Sequence, residues 1–170
     1  MNGDDIVKSW GAGNLKCWPE QCLRDIAIPE PSISFLVNVG LPAFKDVGFQ
    51  FDPLVGDPPR LAGRPWFRSI GLMYEGHLVC LNEEADGSVV SIDPELQDLD
   101  RYINSSVERF AECLALYLQF RGTRQVATEA EFRELGAQFE IDLLKVDATV
   151  FSNPENFWAV LVWELKQGCE

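Results

Sequence analysis

The stretch SIGLMYEGHLVCLNEEADGSVVSID, residues 69–93, decides the fold class. Its apolar, β-branched runs are divided by Glu75-Gly76 and by Ala85-Asp86-Gly87, both turn signals. The pattern predicts strands near 68–74, 77–82 and 88–93, joined as an antiparallel meander. Upstream, FDPLVGDPPRLAGRP (51–65) carries Pro53, Pro58, Pro59 and Pro65 and reads as a loop or a sheet edge. Helical patterns flank these strands instead of alternating with them. The expected class is therefore α+β, a single domain over residues 1–170 with an antiparallel β-meander flanked by helices.

Four helices have readable ends. In YINSSVERFAECLALYLQFRG (102–122), Ser105-x-x-Glu108 has capping-box spacing. Behind it Val107, Phe110, Cys113, Leu114, Tyr117 and Leu118 follow helical periodicity, and Gly122 suits a left-handed stop. A nucleophilic serine is the competing reading. It lacks the G-x-S-x-G elbow of the common hydrolases, so the serines are read as a helix start. A second box stands at Thr128-x-x-Glu131, continued by Phe132, Leu135, Phe139 and Leu143. A third helix starts at SNPENFW, with Asn153 as cap and Pro154 at the first helical position, and runs to Gly168. EPSISFLVNVGLP (30–42) predicts a short helix ending at Gly40, which Pro42 cannot extend.

The chain of 170 residues suits one domain with a substantial core. The N-terminus is acidic and lacks the basic-then-apolar order of a secretory signal, and no apolar run reaches about 18 residues. A soluble protein retained in the cytoplasm is expected. Five cysteines, Cys17, Cys22, Cys80, Cys113 and Cys169, form no CxxC pair and suggest neither a disulfide framework nor a zinc knuckle. The net charge of −13 makes nucleic acid and anionic membranes poor partners. No Lys or Arg lies between Arg68 and Arg101, whereas eight carboxylates do, more than half the net charge.

Motifs for chemistry are weak. Residues 82–93 partly match a calcium loop, with Asn82, Glu84 and Asp86 at positions one, three and five and Gly87 at six. Asp93 is short for the bidentate twelfth position, and the flanks read as strands, so a solvated acidic hairpin turn is the plainer reading. His77 is the only histidine, which excludes a histidine-pair mechanism within one chain. GAGNLK (11–16) lacks the third glycine and preceding strand of a phosphate loop. No catalytic set, cofactor or metal site is expected. Among five tryptophans, Trp158 lies on an apolar stripe and reads as core, while Trp66, between the proline-rich stretch and the acidic meander, reads as partly buried or as an interface anchor.

FLVNVGLP (35–42), LVCLNEEADGSVVSID (78–93) and YINSSVERFAECLALY (102–117), with WGAGNL (10–15) and FWAVLVWELKQG (157–168) toward the ends, together resemble bacterial SUKH-type immunity proteins, specifically the fourth subgroup. The resemblance implies a compact, non-enzymatic α+β domain that binds and neutralises a contact-delivered or secreted toxin, commonly a nuclease. It also implies that Gly40, Asn104, Ser105 and Ser106 are structural signature positions. The proline-rich 49–66 segment departs from the subgroup.

Acidity fits that role, because a nuclease is basic where it grips phosphate. Evenly spread over roughly 8,400 Å² of folded surface, the charge would place only one or two net charges in a footprint of about 800 Å². Clustering is therefore required. The expected partner-binding residues are Glu83, Glu84, Asp86, Asp93, Glu95, Asp98 and Asp100, with Trp66 or Tyr74 as apolar anchor. The alternatives are carboxylates that serve only solubility, a non-catalytic scaffold or regulatory adaptor of the same fold, or a small metal-dependent hydrolase.

Overall fold

A computed structural model describes residues 3–42, 48–51, 59–73, 76–95, 100–124 and 129–167. The meander is present. Strands β5 (Arg64–Met73), β6 (Leu78–Asn82) and β7 (Ser88–Ile92) pair antiparallel in sequence order, with Cys80 opposite Val90 and Ser69 opposite Cys80. The sheet extends to β3 (Phe49–Phe51) beyond β5 and to β8 (Asp100–Asn104) beyond β7, and β4 (Arg60–Leu61) forms a hairpin with the start of β5. Two further short strands, β1 (Leu15–Lys16) and β2 (Leu41–Pro42), pair with each other.

Five α-helices are formed among the described residues: α1 (Gly3–Trp10), α2 (Glu30–Asn38), α3 (Val107–Arg124), α4 (Glu129–Val146) and α5 (Phe157–Gln167). The fold is the expected α+β. Helix α1, strand β8 and the short strands β1, β2 and β3 escaped the sequence reading. In α1, the buried Ile6 and Trp10 stand four residues apart on one face, a pattern too short to register.

Alternation along the strands produces two apolar layers. Val79, Leu81, Val89, Ile70 and Ile103 join the main core against the helices, which holds the fully buried Trp158, Phe110, Leu114 and Leu143. Phe49 packs edge-on against Phe110 at 5.3 Å and Phe157 at 5.6 Å. Phe120 stacks on Phe139 at 5.0 Å. Phe67, Cys80, Val90 and Ile92 point to the opposite face, where Leu61, Trp66 and Leu78 pack on them. With both faces covered, β7 is buried along its length.

The helix ends correct three expectations. Ser105 does not cap α3. Its N–H and hydroxyl both donate to Asp147 Oδ2, at 2.8 and 3.0 Å, and Ser106 stands at the N-cap, its carbonyl accepting from the Phe110 N–H at 3.0 Å. Glu108 accepts instead from the Ser32 hydroxyl of α2. Asp147, 42 residues away along the chain, thus takes both Ser105 donors. Helix α3 continues past Gly122 to Arg124. Asn153 closes a turn by accepting from the Glu155 N–H at 3.0 Å, and α5 begins three residues after Pro154. Thr128 and Gly168 lie outside the described residues. Gly40 ends α2 as expected, with φ of 81° and its N–H donating to the Phe35 carbonyl.

Below the end of β8 lies a buried polar hub. Asn104, fully buried, accepts from the Trp158 indole N–H at 2.8 Å and donates to Asp147 at 3.1 Å. Asp147 also caps the 3-10 turn Ala148–Phe151 through the Thr149 N–H. Burial alone would raise the Asp147 pKa. Hydrogen bonds from the Ser105 N–H, from Thr149 and from Asn104 outweigh that and hold it below the usual aspartate range. Asn104 and Ser105 thus do structural work, tying β8 and α3 to the α4–α5 connection. No described helix is long and apolar enough to cross a membrane.

Candidate functional site

The sheet curls so that the start of β5 comes over its outer face. Arg64 on β5 forms a two-pronged ion pair with Asp100 on β8, although β6 and β7 lie between those strands. On a flat sheet three strand spacings would separate them by about 14 Å. The Arg64 guanidinium also sits 4.4 Å from the centroid of the Phe67 ring. Beneath this hairpin lies an open groove of about 760 Å³, lined by Leu61, Arg64, Trp66, Ile92, Asp93, Pro94 and Asp100 among others.

Three residues expected to bind a partner, Trp66, Asp93 and Asp100, therefore meet in one groove although 34 positions separate the first from the last. Trp66 is half-buried, and its carbonyl accepts from the Glu83 N–H at 2.8 Å, which sets the β6–β7 turn beside it. On that turn Glu84 and Asp86 are exposed and form no ion pair among the described residues. Asp86 adopts a left-handed backbone, φ 50°, of the kind aspartate tolerates. The turn is a hairpin bend closed by the Gly87 N–H on the Asn82 carbonyl at 2.9 Å, between strands and not the helices a calcium loop requires. Glu95 is exposed two residues beyond Asp93, to which its N–H donates. Tyr74 and Asp98 lie outside the described residues.

Glu83, expected among the partner-binding residues, is held from within the fold. Its side chain is 8 % exposed and turned inward, accepting from the Ala27 N–H at 3.0 Å and the Arg68 Nε at 3.0 Å, with Arg60 Nη1 at 2.9 Å. Arg68, itself buried, donates onward to the Asp25 carbonyl. Burial pushes the Glu83 pKa up, but the Ala27 N–H and the two guanidiniums outweigh it, leaving the carboxyl below its ordinary range. Glu83 is a clasp between the meander and the loop before α2. Glu83→Gln loses charge-assisted bonds at one oxygen and sets an amide N–H against an arginine. It should cost about 2 kcal/mol in urea unfolding; a change under about 0.5 kcal/mol would contradict the clasp.

The charge count along the sequence therefore overstated the local negative field. Arg60, Arg64 and Arg68 precede the cation-free segment but fold back onto it, taking up Glu83 and Asp100. Among the described residues, the unpaired acids facing solvent in this segment are Glu84, Asp86 and Glu95, with Asp93 partly exposed and 3.6 Å from His77 Nε2. One exposed feature had no reading in the sequence. Trp163 on α5 is 61 % exposed, and Ile141 and Leu144 on α4 are also exposed, on the helical side of the molecule.

Neither the curated proteins nor the solved structures gave a match. The family model described as SUKH-4 immunity protein matches residues 2–164, nearly the whole chain, including both layers of the sheet, the Asn104–Asp147 hub and the groove. The chain belongs to the SUKH-4 immunity protein family, which supports a role in immunity.

Proposed function

We propose that the chain protects its cell by binding and neutralising a cognate bacterial toxin, without catalysis, through the acidic outer face of its sheet. The observation that carries the reading is the groove in which Trp66 meets Asp93 and Asp100, with the Trp66 carbonyl also holding the N–H of Glu83, which opens a turn whose Glu84 and Asp86 are exposed and unpaired among the described residues. An aromatic anchor within a polar, charged rim is the anatomy of a protein-binding hot spot. A basic toxin domain, as a nuclease must be where it holds phosphate, would be steered to this rim. Asp98 and Tyr74 belong to the proposed rim by their sequence position, and Glu83 supports it from behind.

Co-expression with the toxin domain of the adjacent reading frame tests the reading. Growth rescue and co-purification are expected, and failure of both would sink it. Neutralising Glu84, Asp86, Asp93 and Glu95 together should slow association about tenfold at low salt and flatten its salt dependence. An unchanged rate would place the interface on another face.

A further inference from the structure

We propose that the outer-face groove seats an arginine of the bound partner between the Trp66 indole and the Asp93 carboxylate. The proposal deepens the toxin-binding reading above and rests on it.

The groove already holds one guanidinium, the chain's own. Arg64 is gripped edge-on by both oxygens of Asp100 and covered on its face by Phe67 at 4.4 Å. A planar carboxylate and an aromatic ring are the two contacts that suit this group, which is weakly hydrated and stacks where an ammonium does not. Trp66 and Asp93 repeat that combination in the same groove. Trp66 stands next to Phe67 with its ring tilted against it, 5.9 Å between centroids. Indole is the strongest of the aromatic faces for a cation.

Charge leaves room for one cation more. Among the described residues, the charged side chains lining the groove are Asp93, Asp100 and Arg64, two carboxylates against one guanidinium. Asp100 is consumed by Arg64. Asp93 accepts the Glu95 N–H with Oδ1 at 2.8 Å, while among the described residues Oδ2 has His77 at 3.6 Å, beyond hydrogen-bond length. Asp93 therefore keeps accepting capacity among the described residues, in a cavity whose walls also include the apolar Leu61, Ile92 and Pro94. At about 760 Å³ the groove exceeds what one side chain fills, so the arginine would arrive on a loop whose neighbours rest on those walls.

The probe is blocked arginine, acetyl-arginine amide, compared with its lysine and citrulline counterparts. Binding is followed at the Trp66 indole N–H and the backbone amides of Ile92, Asp93 and Glu95 by two-dimensional NMR. Saturable shifts at those positions are expected, with citrulline about fivefold weaker or worse, since it keeps the shape and loses the charge. Asp93→Asn and Trp66→Leu should each weaken the arginine probe about fivefold while the rest of the spectrum stays native. Equal response to citrulline, shifts spread over the surface carboxylates, or indifference to both variants would overturn the seat. If the arginine seats as expected but the toxin domain is not captured, the toxin-binding reading falls and the seat stands. If the toxin binds while Trp66 is untouched by the probe, the reverse holds.

Discussion

Asp147→Ala will lower the free energy of unfolding by about 3–5 kcal/mol at neutral pH, the loss expected when one side of a buried charged network is removed. The carboxylate is buried and accepts from Asn104 Nδ2, from the N–H and hydroxyl of Ser105 and from the N–H and hydroxyl of Thr149. Alanine orphans these donors, and because Asn104 also holds the Trp158 indole, the fault spreads into the centre of the core. Asp147→Asn would recover little, since the amide must point an N–H at donors already directed inward. Urea unfolding measures the loss; less than about 1 kcal/mol would mean that the hub is solvated and energetically idle.

The same hub fixes the acid limb of stability. The folded pKa of Asp147 is depressed, as is that of Glu83. On acidification the unfolded chain takes up these protons first, near the ordinary values of about 3.9 and 4.3. Stability from both groups is therefore present above those values and lost as pH falls through the lower folded values. Asp147→Asn should flatten this limb.

Gly40→Ala should cost about 3 kcal/mol, which for a domain of this size lowers the melting temperature by roughly 6–12 °C. Two terms add. The backbone at Gly40 has φ of 81°, which an L side chain rarely adopts, and an added Cβ would fall 2.1 Å from the Lys16 carbonyl oxygen in the neighbouring β1 strand. Backbone cannot swing aside as a long side chain can. Gly122→Ala provides the opposite sign: it lies within α3 with nothing within 4 Å of a Cβ. There alanine should stabilise by about 0.5–1 kcal/mol. Equal effects at the two positions would contradict the assigned backbone roles.

The meander was legible because β-branched runs and Gly-containing turns are local signals. Helix α2 was legible because Gly40 and Pro42 end it within three residues. What stayed hidden depended on distance. Ser105 and Glu108 fit a capping box by spacing alone, but their partners are Asp147 and Ser32, 42 and 76 residues away. Glu83 looked exposed because nothing in its own segment could pair with it, whereas Arg68 lies beside it through the β5–β6 register and Arg60 through the pairing of β4 with β5. The curl of the sheet gathers Trp66, Asp93 and Asp100 into one groove, which charge counting along the chain could suggest but not build. Strand β8 was missed because its first residues, Asp100 and Arg101, are polar and exposed, and only Ile103 and Asn104 are buried.

Hydrogen exchange of the chain alone and in complex with its toxin domain tests the account most directly. Binding at the acidic outer face predicts slowed exchange confined to the segments around Arg60–Trp66, Glu83–Gly87 and Ile92–Glu95, with α4 and α5 unchanged. Protection centred instead on α4 and α5, around the exposed Trp163, Ile141 and Leu144, with the groove segments exchanging as in the free protein, would contradict it.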